Sequence, residues 1–315
     1  MEASVTNTKV KKKRKFLTTG NKLLFIVLPF MLFVFVFAYL PIAGWYIAFV
    51  DYSPGASIMD MPFVGLKWFK MLISSQEQIN IVIRVIKNTL GMSFLGLATS
   101  CLPMFFAILL YELRSSKVRR VVQTLTTAPH FVSWVLVYSL VFAFLSVDNG
   151  VVNNLLVDFD FISQPINFLL DSDHMWIKMS MLGLWKGIGW SAIMYLAAIN
   201  GIDQELYEAA SIDGASRFKK VLHITIPGLL PTFFVLLMMS VANMINTGME
   251  QYFIFSNAMN KTSLEVLDLY TYNIGLGNGN FSLATVVSIL KSFVSLILFF
   301  SVNKFSKVVR GESIF

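Results

Sequence analysis

The sequence predicts an all-α, polytopic membrane protein, and three features of the chain lead to that class. First, 56% of the 315 residues are hydrophobic and only 14% charged, whereas a soluble domain carries about 25% charge. Second, the charges are segregated. Residues 23–50, 88–111, 121–147, 221–249 and 269–290 contain no Asp, Glu, Lys or Arg, and about 20 apolar residues cross a hydrocarbon core as a helix. Third, these runs are continuous rather than alternating, which favours helices that satisfy their own backbone over a barrel.

Six spans follow in order. Residues 23–48 read as a signal anchor, because the apolar run passes through Pro41 and Trp45 and outlasts a cleavable signal core. The second span, 84–111, holds the lone Cys101, so an intrachain disulfide is excluded and a structural metal site is not expected. The third is expected at 129–147, and the fourth, 176–200, admits Lys186. The fifth, 227–249, opens at Pro227, and the last, 281–304, contains Lys291. With no internal repeat, residues 23–304 are expected to form one membrane domain between a basic tail, 1–22, and a short tail, 305–315.

Orientation comes from the cations. Lys9, Lys11, Lys12, Lys13, Arg14, Lys15 and Lys22, then Arg114, Lys117, Arg119 and Arg120, then Arg217, Lys219 and Lys220, then Lys304, Lys307 and Arg310 all fall on one side. They make up most of the 25 Lys and Arg, so that side is cytoplasmic and both termini lie inside. The opposite loops carry Asp51, Asp60, Asp148, Asp158, Asp160, Asp171 and Asp173. The net charge of +7 therefore points to anionic membrane lipid, not to nucleic acid.

The outer connectors 51–80, 148–175 and 250–280 have turn signals at Pro54-Gly55, Asn149-Gly150 and Gly275–Asn280, and are expected to be largely solvated. Residues 202–223 behave differently. Ile202, Leu206, Ala209 and Ala210 share one helical face, opposite Gln204, Glu208 and Ser211. Asp203 suits an N-cap and Gly214 suits the helix end. Such a helix is too short to span a membrane and must lie against its own helix ends or a partner groove.

The run Glu208-Ala209-Ala210, three residues, Gly214, nine residues, Ile224-Thr225-Ile226-Pro227 resembles the cytoplasmic signature of permease subunits in binding-protein-dependent ABC importers. Only Ile226 departs from that pattern, which has Leu. Tyr39-Leu40-Pro41, Phe63-Val64-Gly65 and Ala128-Pro129-His130-Phe131-Val132-Ser133-Trp134 look like the carbohydrate-uptake permeases of the polysaccharide and aldouronate type. The resemblance implies the type I ABC importer permease fold in a bacterial plasma membrane. It also implies a coupling helix that docks on the ATPase through Glu208, Ala209, Ala210, Asp213 and Gly214. The implied partners are a second permease in a heterodimer, two cytoplasmic ATPases that carry ATP and Mg, and an extracytoplasmic solute-binding protein. The implied solute is an oligosaccharide, acidic plant-wall fragments included, moved by alternating access.

The chain itself has no Gly-x-x-x-x-Gly-Lys-Ser/Thr loop for nucleotide phosphates and no nucleophile–base pair, so no enzyme site and no bound cofactor are expected. Solute contacts are expected from aromatic, amide and hydroxyl groups: Gly187, Trp190 and Tyr195 on the fourth span, and Ser240, Asn243, Asn246 and Thr247 on the fifth. Ser240, Asn243 and Thr247 would share a face at i, i+3 and i+7. Lys186 is a further candidate, for an acidic sugar, set against a structural lysine that pairs or snorkels; a charge at mid-bilayer depth costs at least ~2.5 kcal/mol. An ion-coupled secondary transporter is the alternative class, but all 18 Asp and Glu lie outside the uncharged runs, where such a transporter places its carboxylates.

Overall fold

The computed structural model describes residues 19–310 apart from 56, 58 and 59. The basic cluster Lys9–Lys15 and the last five residues lie outside them. The chain divides into two compact units, Met1–Ile47 and Ala48–Phe315. In the first unit, α1 (Thr19–Val34) passes into a π turn, Phe35–Tyr39, and then a 3-10 stretch, Leu40–Phe49. Together they make an apolar span, Gly20–Phe49. Pro29 and Pro41 each remove a backbone donor, and the loosened winding that follows Pro29 ends at the 3-10 segment containing Pro41.

In the second unit the short α2 (Lys67–Met71) leads to α3 (Gln76–Ala98), capped by the Ser75 side chain accepting from the Gln78 amide. After a break at Thr99–Cys101 the span resumes as α4 (Leu102–Tyr111). Five of the expected spans are recognisable as long apolar helices: Gly20–Phe49, Gln76–Tyr111, Met175–Asn200, Arg217–Ala242 and Phe281–Lys307.

The third is not a straight helix over 129–147. An amphipathic α5 (Ser116–Thr127) runs into a 3-10 turn, Ala128–Phe131, and the chain turns by 107° into α6 (Trp134–Leu145). Residues 132 and 133 are extended and the Ser133 hydroxyl restarts the helix by accepting from the Leu136 amide. At 12 residues α6 is ~18 Å long, short of the ~30 Å core, so α6 alone does not cross, and the bent pair is a broken span or a re-entrant loop.

The fifth span is also displaced. It begins in the basic segment as α10 (Arg217–Lys220), continues through a π turn at Val221–Thr225, and ends as α11 (Ile226–Ala242). Asn243 caps it, Gly248 adopts φ +74°, and residues 243–249 are not helical as expected. The last helix, α15 (Phe281–Arg310), extends past the expected boundary at 304.

Of the outer connectors, 51–80 and 148–175 are largely exposed, as expected, with isolated buried anchors, whereas 250–280 is packed into the bundle. In 148–175, α7 (Val151–Asp158) presents Asn153, fully buried, which donates to Ser146 O and Ile166 O and accepts from the Ile166 amide. In 250–280, α12 (Glu250–Phe255), α13 (Lys261–Leu264) and α14 (Leu267–Tyr272) place Tyr252, Phe255, Leu264, Val266 and Leu269 in one core with Met92, Val137, Met175 and Met179. Arg84 pairs with the buried Glu265 at 2.8 Å, and Asn88 donates to Thr262 O and Glu265 O, pinning this segment to α3. A second core joins α4 to α8 (Met175–Asn200) and α11 through Ala107, Ala192, Ile199 and Leu229.

Candidate functional site

Two places gather the chemistry-bearing residues. One is the segment between α8 and α11. There α9 (Gln204–Ile212) starts where Asp203 accepts from the Glu205 amide at 3.0 Å and stops at Gly214, whose φ of +71° only glycine adopts freely. Ile202 fits against Gly228, where an added Cβ would lie 2.6 Å from the Ile202 side chain. Tyr207 shares a 3.0 Å hydrogen bond with Thr225. Burial raises the Tyr207 phenol pKa, outweighing that bond, so the hydroxyl keeps its proton.

The expected apolar face is not what seats α9. Leu206 is 52% exposed and Ala209 is exposed too; of that face only Ile202 and Ala210 are half-buried, and Tyr207, from outside it, is half-buried beside them. Glu208, Asp213 and Gly214 are exposed and Ala210 is half-buried. Beside α9 lies a polar cleft of about 610 Å3 bordered by Glu112, Arg114, Arg119, Glu208, Arg217 and Lys220. The helix thus offers an unpartnered face with polar and charged neighbours, held to the spans at its other face.

The other place is an open cavity of about 600 Å3 among α3, α4, α8, α11 and α12. Gly187, Trp190 and Tyr195 line it from α8, and Ser240 and Asn243 from the end of α11. Trp190 stacks on the His130 ring at 4.6 Å, nearly parallel, with Phe131 edge-on at 5.7 Å, which fixes its indole. The Ser240 hydroxyl bonds Leu236 O at 2.9 Å, and Asn243 donates to Met239 O at 3.0 Å while its amide oxygen remains an available acceptor. Gln251, which the sequence placed in an outer loop, also lines the cavity and donates to Met179 O at 2.8 Å. Thr99, Ser100 and Ser180 contribute hydroxyls as well. The break at Thr99–Cys101 and the folding back of 250–255 bring these in, and only isolated polar residues in apolar runs marked them in sequence.

Three candidates stand elsewhere. Asn246 and Thr247 lie past the end of α11, so they share no face with Ser240 and line no part of this cavity; the Asn246 amide reaches Ser295 at 3.5 Å. Lys186 donates to His130 O at 2.7 Å and sits 5.4 Å from the Trp134 ring centroid, away from the cavity wall.

A half-exposed lever outside a bundle with a polar, aromatic-lined cavity is the arrangement of a transport pore, and comparison with known proteins decides the family. Residues 100–311 match the binding-protein-dependent transport system inner membrane component. The chain belongs to that family. Protein LplB of Bacillus subtilis (strain 168) is 37% identical to this permease over 92% of this chain and 90% of its own. The polygalacturonan/rhamnogalacturonan transport system permease protein YteP of the same organism is 38% identical over 98% and 95%. A solved structure of a bacterial ABC transporter involved in the import of the acidic polysaccharide alginate contains a chain that matches with TM-score 0.82 at 31% identity, over 93% of this permease and 97% of that chain. The fold is that of a type I ABC importer permease, an inner-membrane component with several apolar helices.

Proposed function

We propose that this permease forms one membrane half of an ATP-driven importer that takes oligosaccharide from an extracytoplasmic binding protein. The observation that carries this reading is the cavity between the two helices that flank α9. It presents an indole face, a phenol, an amide acceptor and several hydroxyls, and among the described residues its wall holds no Asp, Glu, Lys, Arg or His. Such a lining reads sugar rings by stacking and their hydroxyls by hydrogen bonding. It offers no counter-ion to a uronate, so recognition of carboxylates falls to the partner subunits. The family resemblance supports a second permease opposite, two cytoplasmic ATPases with their ATP and Mg, and a coupling role for Glu208, Ala209, Ala210, Asp213 and Gly214. In this account ATP-driven closure of the ATPases moves α9, and the rigid contacts of Ile202 with Gly228 and Tyr207 with Thr225 pass that motion to α11, opening the cavity outward.

The relatives named for polygalacturonan, rhamnogalacturonan and alginate support a plant- or algal-wall glycan as the solute. Ion coupling is not favoured: Asp268, the carboxylate that reaches a lysine within the last apolar span, is taken by Lys291 and the Gly248 amide. The test is uptake by the reconstituted importer of neutral and uronic-acid oligosaccharides. Trp190→Ala with Asn243→Ala is expected to lower uptake of both classes at least about tenfold, since two lost contacts of about 1 kcal/mol each remove that much. Undiminished uptake, or accumulation driven by an ion gradient without ATP, would overturn the proposal.

A further inference from the structure

A third groove, unrelated to the sugar cavity, lies between α3, the start of α8 and α13, with a volume of about 690 Å3. Its wall on α3 is one helical stripe, Arg84, Lys87, Asn88, Gly91, Phe94 and Leu95, spaced at three, four and seven residues. The chemistry along that stripe is sorted by depth. Arg84 and Lys87 stand at its mouth, joined by His174, which precedes α8 in a left-handed conformation at φ +57°. Phe94 and Leu95 follow seven and eight residues beyond Lys87, ~10 Å further along the helix axis, facing Ile177.

The groove has a fixed floor. An added Cβ at Gly91 would lie 2.5 Å from the Trp176 ring, and the indole of Trp176 donates to Ser263 O at 3.2 Å, so ring and helix are in register. Its charge is unbalanced. Glu265 engages Arg84, whereas Lys87 makes no hydrogen bond or ion pair among the described residues, and no carboxylate lines the groove. Lys87 is also the last charge before the uncharged run 88–111, which puts its ammonium at the boundary between headgroups and hydrocarbon. That mouth is at the end of α8 remote from α9.

We propose that this groove holds one anionic glycerophospholipid of the leaflet opposite α9, its phosphate against Lys87 and His174 and an acyl chain along Phe94, Leu95 and Ile177. Charge complementarity at the mouth and apolar depth below it both fit that occupant. A soluble anion would leave the lower half unfilled, and for a sugar the amide and indole groups of the groove are already engaged, Asn88 with Thr262 O and Glu265 O and Trp176 with Gly91 and Ser263 O. Held in place, the lipid braces α3 against α8 and the 262–265 segment. The proposal does not depend on which solute the importer carries.

The test uses the assembled importer in vesicles of phosphatidylglycerol or phosphatidylcholine, with a benzophenone side chain replacing Phe94 as a photo-cross-linker. One cation near a membrane surface favours anionic lipid by about fivefold. Adducts are therefore expected to form about fivefold more with phosphatidylglycerol, to fall to parity in Lys87→Gln, and to recover in Lys87→Arg. Equal labelling of both lipids in the wild type, labelling indifferent to Lys87→Gln, or adducts formed with a protein chain would overturn the assignment. So would loss of the preference in excess inorganic phosphate, which would mark a site for soluble anions.

Discussion

Lys186 and Lys291 both lie well inside apolar spans, and the protein accommodates them in opposite ways. Lys186, on α8, pairs with no carboxylate among the described residues; it donates to the carbonyl of His130, where the 3-10 turn ends and the chain bends. Its positive charge meets a helix end whose carbonyls point outward, with the Trp134 face close by. Lys291, on α15, pairs with Asp268, whose other oxygen accepts from the Gly248 amide at 2.9 Å. Both side chains of that pair are about four-fifths covered. Each lysine thus marks a broken helix, one holding a bend and the other the non-helical stretch after α11. The difference lies in what remains when the cation is removed: a neutral carbonyl in the first case, a covered carboxylate in the second.

The largest effect follows from that asymmetry. Lys291→Met should destabilise the permease by about 3 kcal/mol, because breaking a covered ion pair strands one charge. Thermal melting of the purified importer is the measurement, and adding Asp268→Asn should recover most of the loss by removing the stranded charge. A melting temperature equal to wild type in the single variant would erase the distinction between the two lysines.

That pairing was hidden from sequence for a physical reason. Asp268 sits in a stretch whose turn residues read as a solvated loop, and only tertiary packing of Tyr252, Phe255 and Leu269 carries it to α15. Features decided within a few residues were legible: the Asp203 cap, the Gly214 stop, the class of five long apolar spans. Features decided by distant contacts were not. The bend at 132–133 and the end of α11 at Ala242 fall inside uncharged runs, where the absence of charge reads as continuity of the span. The misplacement of Asn246 and Thr247 follows directly from the second of these. Gln251 was missed for the same reason as Asp268, since both belong to a segment that folds back into the bundle.

A smaller effect is expected where the bend meets α8. An added Cβ at Gly189 would lie 2.3 Å from Thr126 O and 2.6 Å from the Thr127 amide nitrogen, both of them backbone atoms that cannot rotate away. Gly189→Ala must therefore part α5 from α8, and overpacking of this kind costs about 2 kcal/mol. The displacement would also shift His130 relative to Lys186 and Trp190. Melting of the variant importer, together with the quenching of Trp190 fluorescence by the stacked His130, would register it; unchanged values for both would mean that the contact between α5 and α8 does not hold the bend.

The smallest effect separates a structural lysine from a solute-binding one. Lys186→Met keeps the length and most of the volume of the side chain, and what it removes is one charge-assisted donor to His130 O. A lost bond of that kind, with the acceptor half-covered, costs about 1.5 kcal/mol, roughly half the expected loss for Lys291→Met. Because the ammonium points to the bend and not into the cavity, the ratio of uptake for uronic-acid over neutral oligosaccharides should stay at the wild-type value, while overall uptake declines slightly with stability. Transport assays with paired neutral and acidic chains of equal length give that ratio directly. A selective fall for the acidic member, at equal stability, would place the Lys186 charge in the solute path and undo the contrast drawn with Lys291.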